Sequence, residues 1–435
     1  MNYNIQDFGA KTTNTNNASY IQEAINKASL EKGTIIIPKG IYKTSTIILK
    51  DNITLYLEEG AVLKALDDIS LFDITNKDNH QNLEVPSFIN CDYDGKPTLY
   101  FIYGAHLKNV TIQGKGTIDG NEEIFYGYQD DYFIDGAFYP RMPLLFLEDI
   151  QNLEIKEVTL ANSAFWTTHM VGCENVHIHH IKIRNNLKLA NCDGIDPDHC
   201  HHVKIHDCDI ICADDAIVFK NTKANQQYGD CYDIHVYNCK LKSTSGAVKF
   251  GTESFGDFYN IKVEDVKIYD TNRGITMQLR DSGSIYDCQF KNIQISTSVG
   301  PKPYFWGYGE PLALTAINRS DDIPVGEIRN LTFENITLDS ENGLLIYGEE
   351  QNSIHDISFK NLSLNLHNKS HWPKDRHDLR PYDKNPFIDG KVNVLYLRNA
   401  KNLTFDHFTY EKDASLKECY GIDFDIDNAK DIHIN

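Results

Sequence analysis

Short segments in which apolar and polar residues alternate recur along the whole chain. Each begins with Asn, Asp or His and continues apolar–polar–apolar, as in NVTIQG, NLEIKEVTL and NLTFENITL. Alternation with a period of two predicts a β-strand that buries one face. The first residues of the twelve copies are Asn52, Asn109, Asn152, Asn175, His202, Asp233, Asn260, Asp287, Asn330, Asp356, Asn402 and Asp431.

The spacing of these copies indicates a repeat. Seven of the eleven intervals lie between 23 and 31 residues, and we interpret the longer intervals as inserted loops or unmarked coils. Short strands at this period predict a right-handed parallel β-helix, in which each coil buries its apolar face by stacking on its neighbours. A leucine-rich repeat would carry LxxLxLxxN, which is missing, and a β-propeller would need four antiparallel strands in each blade.

One amphipathic helix is predicted near the start of the chain. The segment SYIQEAINKASLEKG follows Asn16 and Asn17 and stops at Gly33. It carries four apolar residues on one face, namely Ile21, Ala24, Ile25 and Ala28. A helix before the first coil is typical of an end cap, so residues 1–35 are expected to cap one domain that covers residues 1–435.

Three insertions between the repeats are rich in aromatic and charged residues. We expect them to line a substrate groove, because loops on a rigid scaffold commonly carry binding groups. The alternative is that they only seal the edges of the coils. The insertions cover residues 121–143, 300–320 and 366–390.

Composition narrows the classes of partner. The formal charge of −20 argues against nucleic acid and against an anionic membrane surface, which both require a basic patch. No stretch is long and apolar enough to span a bilayer. The first residues lack the features of a secretory signal, so a cytoplasmic protein is expected unless an export signal has been removed. The ten cysteines are then expected to be reduced core thiols, and no cofactor is predicted.

Three aspartates are the candidates for chemistry. Asp214 and Asp215 lead into the apolar run of ADDAIVFK, and they can act together only if they lie at a bend. Asp193 precedes Asp214 by 21 residues, close to one coil, and coils are spaced about 4.8 Å apart. Clustered carboxyl groups repel, which yields one acid and one base, as glycoside hydrolysis requires. A hydrogen-bonded turn and a calcium site are the alternatives.

The run NCDGID followed by CDIICADDAIVFK resembles the NTDG…GDD signature of glycoside hydrolase family 28, the polygalacturonases and their relatives. The opening IQDFGA, the segment RMPLLFLEDIQNLEIKEVTLANSAFWTTH and the coil period agree with this resemblance. The resemblance implies hydrolysis with inversion. It also implies that Asp214 is the general acid and that Asp193 and Asp215 hold the nucleophilic water.

The sequence departs from that family at two places. Ser245 precedes Gly246 where polygalacturonases carry His-Gly, and GITMQLRD carries Thr276 and Gln278 where they carry an Arg-x-Lys that binds the substrate carboxylate. Arg280 and Lys249 are candidate replacements for the missing cations. We therefore expect an oligosaccharide with a neutral or differently placed sugar at the cleaved position.

Aromatic and polar residues near the aspartate coils are predicted to bind substrate. They are Trp166, His169, Lys249, Gln278, Arg280, Trp306, Glu310 and Arg319. His179 and His206 are expected to stack on the polar side of neighbouring strands, where they could form a zinc pair. The sequence offers no convincing third ligand, so no metal site is predicted.

Together these features predict an inverting, exo-acting glycoside hydrolase whose partner is a pectin-related or other plant-type oligosaccharide. Exo action is inferred from the missing signal and from the long insertions, which could close one end of a groove. A polysaccharide lyase or epimerase on the same scaffold is one alternative, although the lost Arg-x-Lys argues against it. A carbohydrate-binding β-solenoid without catalysis is the other, and the intact aspartates argue against that.

Overall fold

The computed structural model describes residues 1–76, 97–302, 304–350 and 353–435. The chain divides into two compact units: residues 1–212 with 223–229, and residues 213–222 with 230–435. In each unit, strands pair in parallel with the equivalent strands of neighbouring coils. The predicted fold class, a right-handed parallel β-helix, is confirmed.

Within its described residues, the first unit has one α-helix, α1 (Ala18–Glu31), and four short 3-10 helices, at Ile5–Phe8, Ile69–Phe72, Glu122–Phe125 and Lys223–Tyr228. Its strands are β1 (Asn2–Asn4), β2 (Thr34–Ile37), β3 (Gly40–Thr44), β4 (Ile47–Ile48), β5 (Ile53–Leu57), β6 (Ala61–Ala65), β7 (Ile102–Gly114), β8 (Thr117–Asp119), β9 (Tyr126–Gln129), β10 (Ile134–Gly136), β11 (Leu145–Lys156), β12 (Thr159–Ala161), β13 (Thr168–Val171), β14 (Glu174–His179), β15 (Lys182–Arg184), β16 (Ile195–Asp198), β17 (His201–His206) and β18 (Asp209–Cys212).

The second unit has one 3-10 helix, Ala414–Leu416, among its described residues. Its strands are β19 (Ile217–Asn221), β20 (Cys231–Tyr237), β21 (Lys240–Ser243), β22 (Gly246–Ser254), β23 (Phe258–Glu264), β24 (Lys267–Thr271), β25 (Arg273–Leu279), β26 (Ile285–Thr297), β27 (Leu312–Ala316), β28 (Ile328–Ser340), β29 (Leu344–Gly348), β30 (Ile354–Leu366), β31 (Arg376–Asp378), β32 (Phe387–Asp389), β33 (Leu395–Arg398), β34 (Ala400–Lys412), β35 (Phe424–Asp427) and β36 (Lys430–Ile434).

The predicted N-terminal helix is confirmed. Helix α1 buries the four apolar residues that the sequence puts on one face. Its first turn is capped by Asn16, whose Oδ1 accepts a hydrogen bond from the Ala18 N–H at 2.9 Å. The helix ends where Lys32 adopts a left-handed conformation and its N–H donates to the Ala28 carbonyl.

The recurrent Asn, Asp or His marks a corner of each coil. All twelve marker residues have a φ between +52° and +63°, the left-handed region that Asn and Asp tolerate better than other residues with a side chain. Several of their side chains also bond from coil to coil. The Asn109 amide donates to Asn52 at 2.8 Å, and the Asn152 amide donates to Asn109 at 2.9 Å. Backbone geometry therefore explains the residue type at these positions.

Aromatic rings stacked in register form part of the core of the second unit. Phe290, Phe333, Phe359 and Phe405 occupy equivalent positions in successive coils. Their ring centroids are 4.6, 4.9 and 4.4 Å apart, and neighbouring rings are within 14° of parallel. Each coil thus buries its apolar face against the next one, as the repeat predicts.

The described cysteines agree with the expectation of reduced thiols. Nine are free thiols, and eight of these are buried, whereas Cys91 lies outside the described residues. No helix in the described ranges combines the length and the apolar character needed to cross a membrane. Two of the predicted insertions contain antiparallel hairpins, β9–β10 within residues 121–143 and β31–β32 within residues 366–390.

Candidate active site

Strands β22 and β25 of the second unit are buried along their whole length, and so are β19 and β27, the strands that pair with them on either side. Strand β23, by contrast, alternates buried and solvent-facing positions. When a strand is buried on both faces, other parts of the protein cover its outer face as well as its core face. Lys249 of β22 pairs in register with Thr276 of β25, so these two polar side chains lie in one row on adjacent coils.

Asp214 and Asp215 lie at the bend before β19, as the doublet requires. Asp214 is partly exposed and has a φ of +67°, and its N–H donates to Thr244 Oγ1 at 3.1 Å. Asp215 is only 1% exposed. Its Oδ1 accepts the Gly246 N–H at 3.0 Å, and its Oδ2 accepts Lys249 Nζ at 2.7 Å. Two adjacent carboxyl groups therefore have different surroundings, one reached by solvent and one held in an ion pair.

Gly246 makes room for the ion-paired carboxylate. A Cβ at this position would lie 3.0 Å from Asp215 Oδ1 and 2.8 Å from Thr276 Cγ2. The neighbouring Ser245 is 7% exposed, and its N–H donates to Ser243 Oγ at 2.9 Å. The Ser-Gly pair thus contributes a main-chain donor to Asp215 and close packing around it.

Trp306 has two cations beside its ring. Lys249 Nζ and the guanidinium carbon of Arg380 each lie 5.7 Å from a ring centroid of the indole. The main chain of Trp306 is held by Asn272, whose Nδ2 donates to the Trp306 carbonyl at 2.7 Å. Lys249 and Trp306 were both predicted to bind substrate, and the structure brings them together. Arg380 was not predicted, although it belongs to the predicted insertion at 366–390.

Arg380 is carried by segment 378–381, which is fastened to β25 and the residue that follows it. Three donor side chains there bond to four consecutive main-chain carbonyls of the segment. Arg273 donates to Asp378 at 2.6 Å, Gln278 to Arg380 at 3.0 Å, and Arg280 to Leu379 and Pro381 at 2.9 Å each.

Two of the predicted substrate contacts, Arg280 and Glu310, are fully buried, and a contact of either with substrate stays a prediction. Arg280 is 0% exposed, and its guanidinium donates hydrogen bonds to main-chain carbonyls and to Thr315 Oγ1. Burial lowers its pKa, and the nearby charges of Arg319 and Arg273 lower it further. Glu310 is also 0% exposed, and its Oε2 pairs with Arg273 Nε at 3.1 Å. Both side chains bond to other groups of the protein.

Gln278 and Arg319 differ in exposure. Gln278 is 2% exposed and donates a hydrogen bond to the Arg380 carbonyl, and a substrate contact by Gln278 stays a prediction. Arg319 pairs with Asp281, with Nε 2.8 Å from Oδ1, and its side chain is 20% exposed. A substrate contact by Arg319 stays a prediction.

Asp378 organises the segment that carries Arg380. Its carboxylate accepts Arg380 Nε at 3.0 Å and Arg380 Nη2 at 2.7 Å, and it also accepts the Gly307 N–H at 2.8 Å. Burial opposes ionisation of this carboxyl group, but the hydrogen bonds from Arg380 and the charge of Arg273 hold its pKa below the usual value. The bidentate pair fixes the plane of the Arg380 guanidinium.

Trp166 and His169 form a packed cluster in the first unit. The two rings meet edge to face, with centroids 4.8 Å apart and an interplanar angle of 90°. His169 Nε2 lies 3.3 Å from Asp198 Oδ2, and Trp166 stacks on Phe165 at 5.1 Å. The exposed fractions of Trp166 and His169 are 3% and 2%. They serve packing and hydrogen bonding here, and a substrate contact by either stays a prediction.

Asp193 also belongs to the first unit, whereas Asp214 and Asp215 belong to the second. Asp193 is 2% exposed, and its main-chain carbonyl accepts the Thr167 N–H at 3.0 Å. The joint action of the three aspartates stays a prediction.

The fold is shared with parallel β-helix enzymes that act on carbohydrate. A family 28 exopolygalacturonase from Yersinia enterocolitica superposes with a TM-score of 0.73 at 17% identity, over 99% of this chain and 78% of that chain. An exopolygalacturonase from Thermotoga maritima superposes with a TM-score of 0.67 at 20% identity, over 84% of this chain and 87% of that chain. At such identities the likeness defines the fold alone.

The sequence itself matches the model of the glycosyl hydrolases family 28 over residues 63–375, and the chain belongs to this family. A probable polygalacturonase of Vitis vinifera is 31% identical over 237 residues, which are 52% of this chain and 45% of the relative. An exo-poly-alpha-D-galacturonosidase of Dickeya chrysanthemi is 25% identical over 292 residues, 58% of this chain and 47% of the relative. The chain thus spans about half the length of the curated relatives that it matches. The predicted family is confirmed.

Proposed function

We propose that the protein is an inverting glycoside hydrolase that removes sugars from the end of a pectin-related oligosaccharide and binds a uronic acid at the cleaved position. The main observation that supports this proposal is that two cations, Lys249 and Arg380, each lie 5.7 Å from a ring centroid of Trp306. An indole face suits the C–H face of a sugar ring, and cations at its rim suit a carboxylate.

The expectation of a neutral or differently placed sugar rested on the missing Arg-x-Lys cations. Arg380 supplies a planar guanidinium from an insertion rather than from a strand, and Lys249 supplies an ammonium from β22. A guanidinium binds a carboxylate through two parallel N–H groups, which a neutral hydroxyl cannot match. A uronate is therefore the better fit to this part of the molecule.

We assign the acid and base roles to the three aspartates. Asp214, at the exposed side of the bend, donates a proton to the glycosidic oxygen as the bond to the anomeric carbon breaks. Asp215 accepts the one proton of a water that attacks the anomeric carbon from the opposite face, so the configuration inverts, and the proposal gives Asp193 a share in holding this water. Exchange with solvent then restores the starting protonation states. Lys249 helps by keeping the Asp215 carboxylate oriented through their 2.7 Å contact.

Exo action is supported by the insertions and by the names of relatives. Segment 378–381 is fastened to β25, and the main chain of Trp306 is bonded to Asn272, so this wall of the site is fixed in place. Two solved structures with the same fold are called exopolygalacturonases. A fixed wall beside the cleaved sugar would admit a chain end more readily than a chain interior.

The test uses purified protein with galacturonate oligosaccharides and with neutral galactose oligosaccharides of the same length. We expect release of reducing ends from the galacturonate series, single-sugar products by chromatography, and anomeric inversion by NMR. Products that absorb as unsaturated uronides would instead indicate a lyase. No release from any of these oligosaccharides would favour a binding module and contradict the proposal.

Asp214→Asn is the variant that tests the acid. Asn tolerates a positive φ, so the bend should be kept while the transferable proton is lost. We expect the rate to fall by at least about a hundredfold, the usual contribution of a general acid. Asp270→Asn is the matched control, because Asp270 has a φ of +50° and pairs with Lys242 at an exposed site. Equal rates for Asp214→Asn and the control would overturn the acid assignment.

A further inference from the structure

Three histidines and a glutamate meet on three successive strands of the first unit. His177 and His179 lie on β14, His206 lies on β17, and Glu154 lies on β11. In the parallel register, Glu154 pairs with His177 and His179 pairs with His206. Residues two apart on a strand face the same side, so the row Glu154–His177 and the row His179–His206 lie next to each other. The four side chains, all of types that can bind metal, therefore come together.

The donor atoms of this group, which we call the histidine cluster (Glu154, His177, His179 and His206), are close to one another. The ligand atoms of the three histidines all lie within 4.8 Å of each other. His177 Nε2 is 2.7 Å from His206 Nε2, and His179 Nε2 is 3.4 Å from Glu154 Oε1. The rings of His179 and His206 stack with an interplanar angle of 9°. The third ligand that the sequence did not reveal is His177.

A neighbouring carboxylate sets the tautomer of His206. Asp207 Oδ2 lies 2.6 Å from His206 Nδ1, so this nitrogen carries the proton and donates it to the carboxylate. The lone pair of His206 is then on Nε2, the atom that faces His177. A histidine that donates one ring N–H to a carboxylate and offers the other nitrogen to an ion is the usual arrangement in metal sites.

Two lysines also lie near the histidine cluster, Lys156 beside Glu154 and Lys204 near His177. Lys156 Nζ bonds to Glu154 Oε2 at 2.8 Å, which leaves the other carboxylate oxygen directed at His179. The side chains of His179 and His206 are 16% and 12% exposed, and that of Glu154 is 32% exposed. An ion could enter from solvent and lose most of its hydration shell on binding.

We propose that the histidine cluster binds one divalent ion of the zinc type, with the three histidine Nε2 atoms and Glu154 Oε1 as ligands. Imidazole and carboxylate groups in a tetrahedron suit Zn²⁺, with metal–ligand distances of about 2.0–2.2 Å. Tetrahedral ligand atoms are then about 3.3–3.5 Å apart. The His179–Glu154 separation already has this value, and binding would open the His177–His206 contact by a small ring rotation.

The expected consequence is structural. Glu154, the two histidines of β14 and His206 come from three neighbouring coils, so one ion would tie these coils together. A ligand that binds only the folded state stabilises it in proportion to the logarithm of its concentration over its Kd. The site makes no use of the aspartates proposed for catalysis.

The experiment uses the full chain without an affinity tag, stripped of metal by a chelator. Calorimetry with Zn²⁺ should give one ion per chain, and Co²⁺ should give the intense visible absorption of a tetrahedral site. Zn²⁺ should also raise the Tm. Absence of saturable Zn²⁺ binding at micromolar concentrations would overturn the proposal and would leave a hydrogen-bonded imidazole stack.

Variants identify the ligands. His177→Ala and His206→Ala should each weaken Zn²⁺ binding at least about tenfold and abolish the rise in Tm, while Asp207→Asn should weaken binding by about tenfold through the orientation of His206. His235→Ala is the matched control, because His235 bonds to Glu264 on the outer side of β20 in the second unit. Unchanged affinity in the first two variants would contradict the proposal.

A neighbouring group provides a further control. Glu174, His201 and His202 also have ligand atoms within 4.8 Å of one another. If His201→Ala abolished Zn²⁺ binding and His177→Ala left it intact, the ion would be bound by this second group. That result would also overturn the proposal. Retained binding in His201→Ala, with loss in His177→Ala, is the result that supports it.

Discussion

The Lys249 ammonium lies 2.7 Å from Asp215 Oδ2, and the two side chains are 9% and 2% exposed. A buried ion pair of this kind is costly to break from one side, because the remaining charge loses its partner in a desolvated place. Lys249→Met should therefore lower the free energy of unfolding by about 3–5 kcal/mol in urea titrations. Lys242→Met, which removes an exposed pair with Asp270, should change it by at most about 1 kcal/mol.

The double variant Lys249→Met/Asp215→Asn isolates the pair. Removing both charges leaves no unpaired ion, so this variant should be clearly more stable than Lys249→Met alone. If the two substitutions were additive, the contact would carry no coupling, and the assignment of Lys249 as the partner of Asp215 would be wrong.

A second prediction concerns recognition of a uronate by Arg380. Its bonds to Asp378 fix the plane of the guanidinium near Trp306. Arg380→Gln should raise KM for a galacturonate oligosaccharide about tenfold to a hundredfold, the value of a charged hydrogen bond of about 1.5–3 kcal/mol. For the methyl ester of the same oligosaccharide, which carries no carboxylate charge, the substitution should change KM little. Kinetics on both substrates check this.

Arg376→Gln is the matched control for Arg380, because Arg376 lies in the same hairpin and pairs with the exposed Asp375. Arg380→Lys adds a second comparison, since it keeps the charge and loses the planar fork. A similar KM in Arg380→Gln and Arg376→Gln would exclude Arg380 from substrate binding.

The sequence was sufficient for the coils because their strands obey a simple physical rule. Alternating residues that bury one face leave a period of two, and the corner residue must adopt a positive φ, which selects Asn, Asp or His. The helix near the start was equally predictable from its apolar face and from Asn16. These features depend on contacts within a coil or with the next one.

The role of Arg380 could not be predicted from the sequence, because its position depends on contacts with residues about 100 positions away in the chain. It is fixed by donors of β25 and by Arg280, which bond to main-chain carbonyls. Every residue has such a carbonyl, so the sequence does not show which ones are bonded. The burial of Arg280 under the same segment could not be read from the sequence either. The one available signal was the presence of three strong donors, Arg273, Gln278 and Arg280, in buried β25 and the residue that follows it, which indicates a covering loop.

A third prediction tests the aromatic stack of the second unit. Phe333 is fully buried between Phe290 and Phe359, at 4.6 and 4.9 Å. Phe333→Ala should lower the free energy of unfolding by about 3–5 kcal/mol, because it removes apolar contacts and leaves a cavity. Thr332→Ala, on the opposite face of the same strand, should change it by at most about 0.5 kcal/mol. Equal effects in urea titrations would contradict the stacking of coils through this row.

The last prediction concerns pH and Glu122 in the first unit. Burial raises the pKa of Glu122 to about 7, although a hydrogen bond from the Tyr126 hydroxyl at 3.1 Å opposes the shift. Because the folded state favours the neutral carboxyl group, ionisation in the unfolded chain makes folding less favourable as pH rises from about 4.5 to 7. Glu122→Gln should thus match wild type near pH 4 and exceed its stability at pH 8 by up to about 3 kcal/mol.

Urea titrations at both pH values check this, with Glu123→Gln, at an exposed position of the same turn, as control. A stability difference between Glu122→Gln and wild type that stays constant with pH would show that Glu122 does not carry this shift.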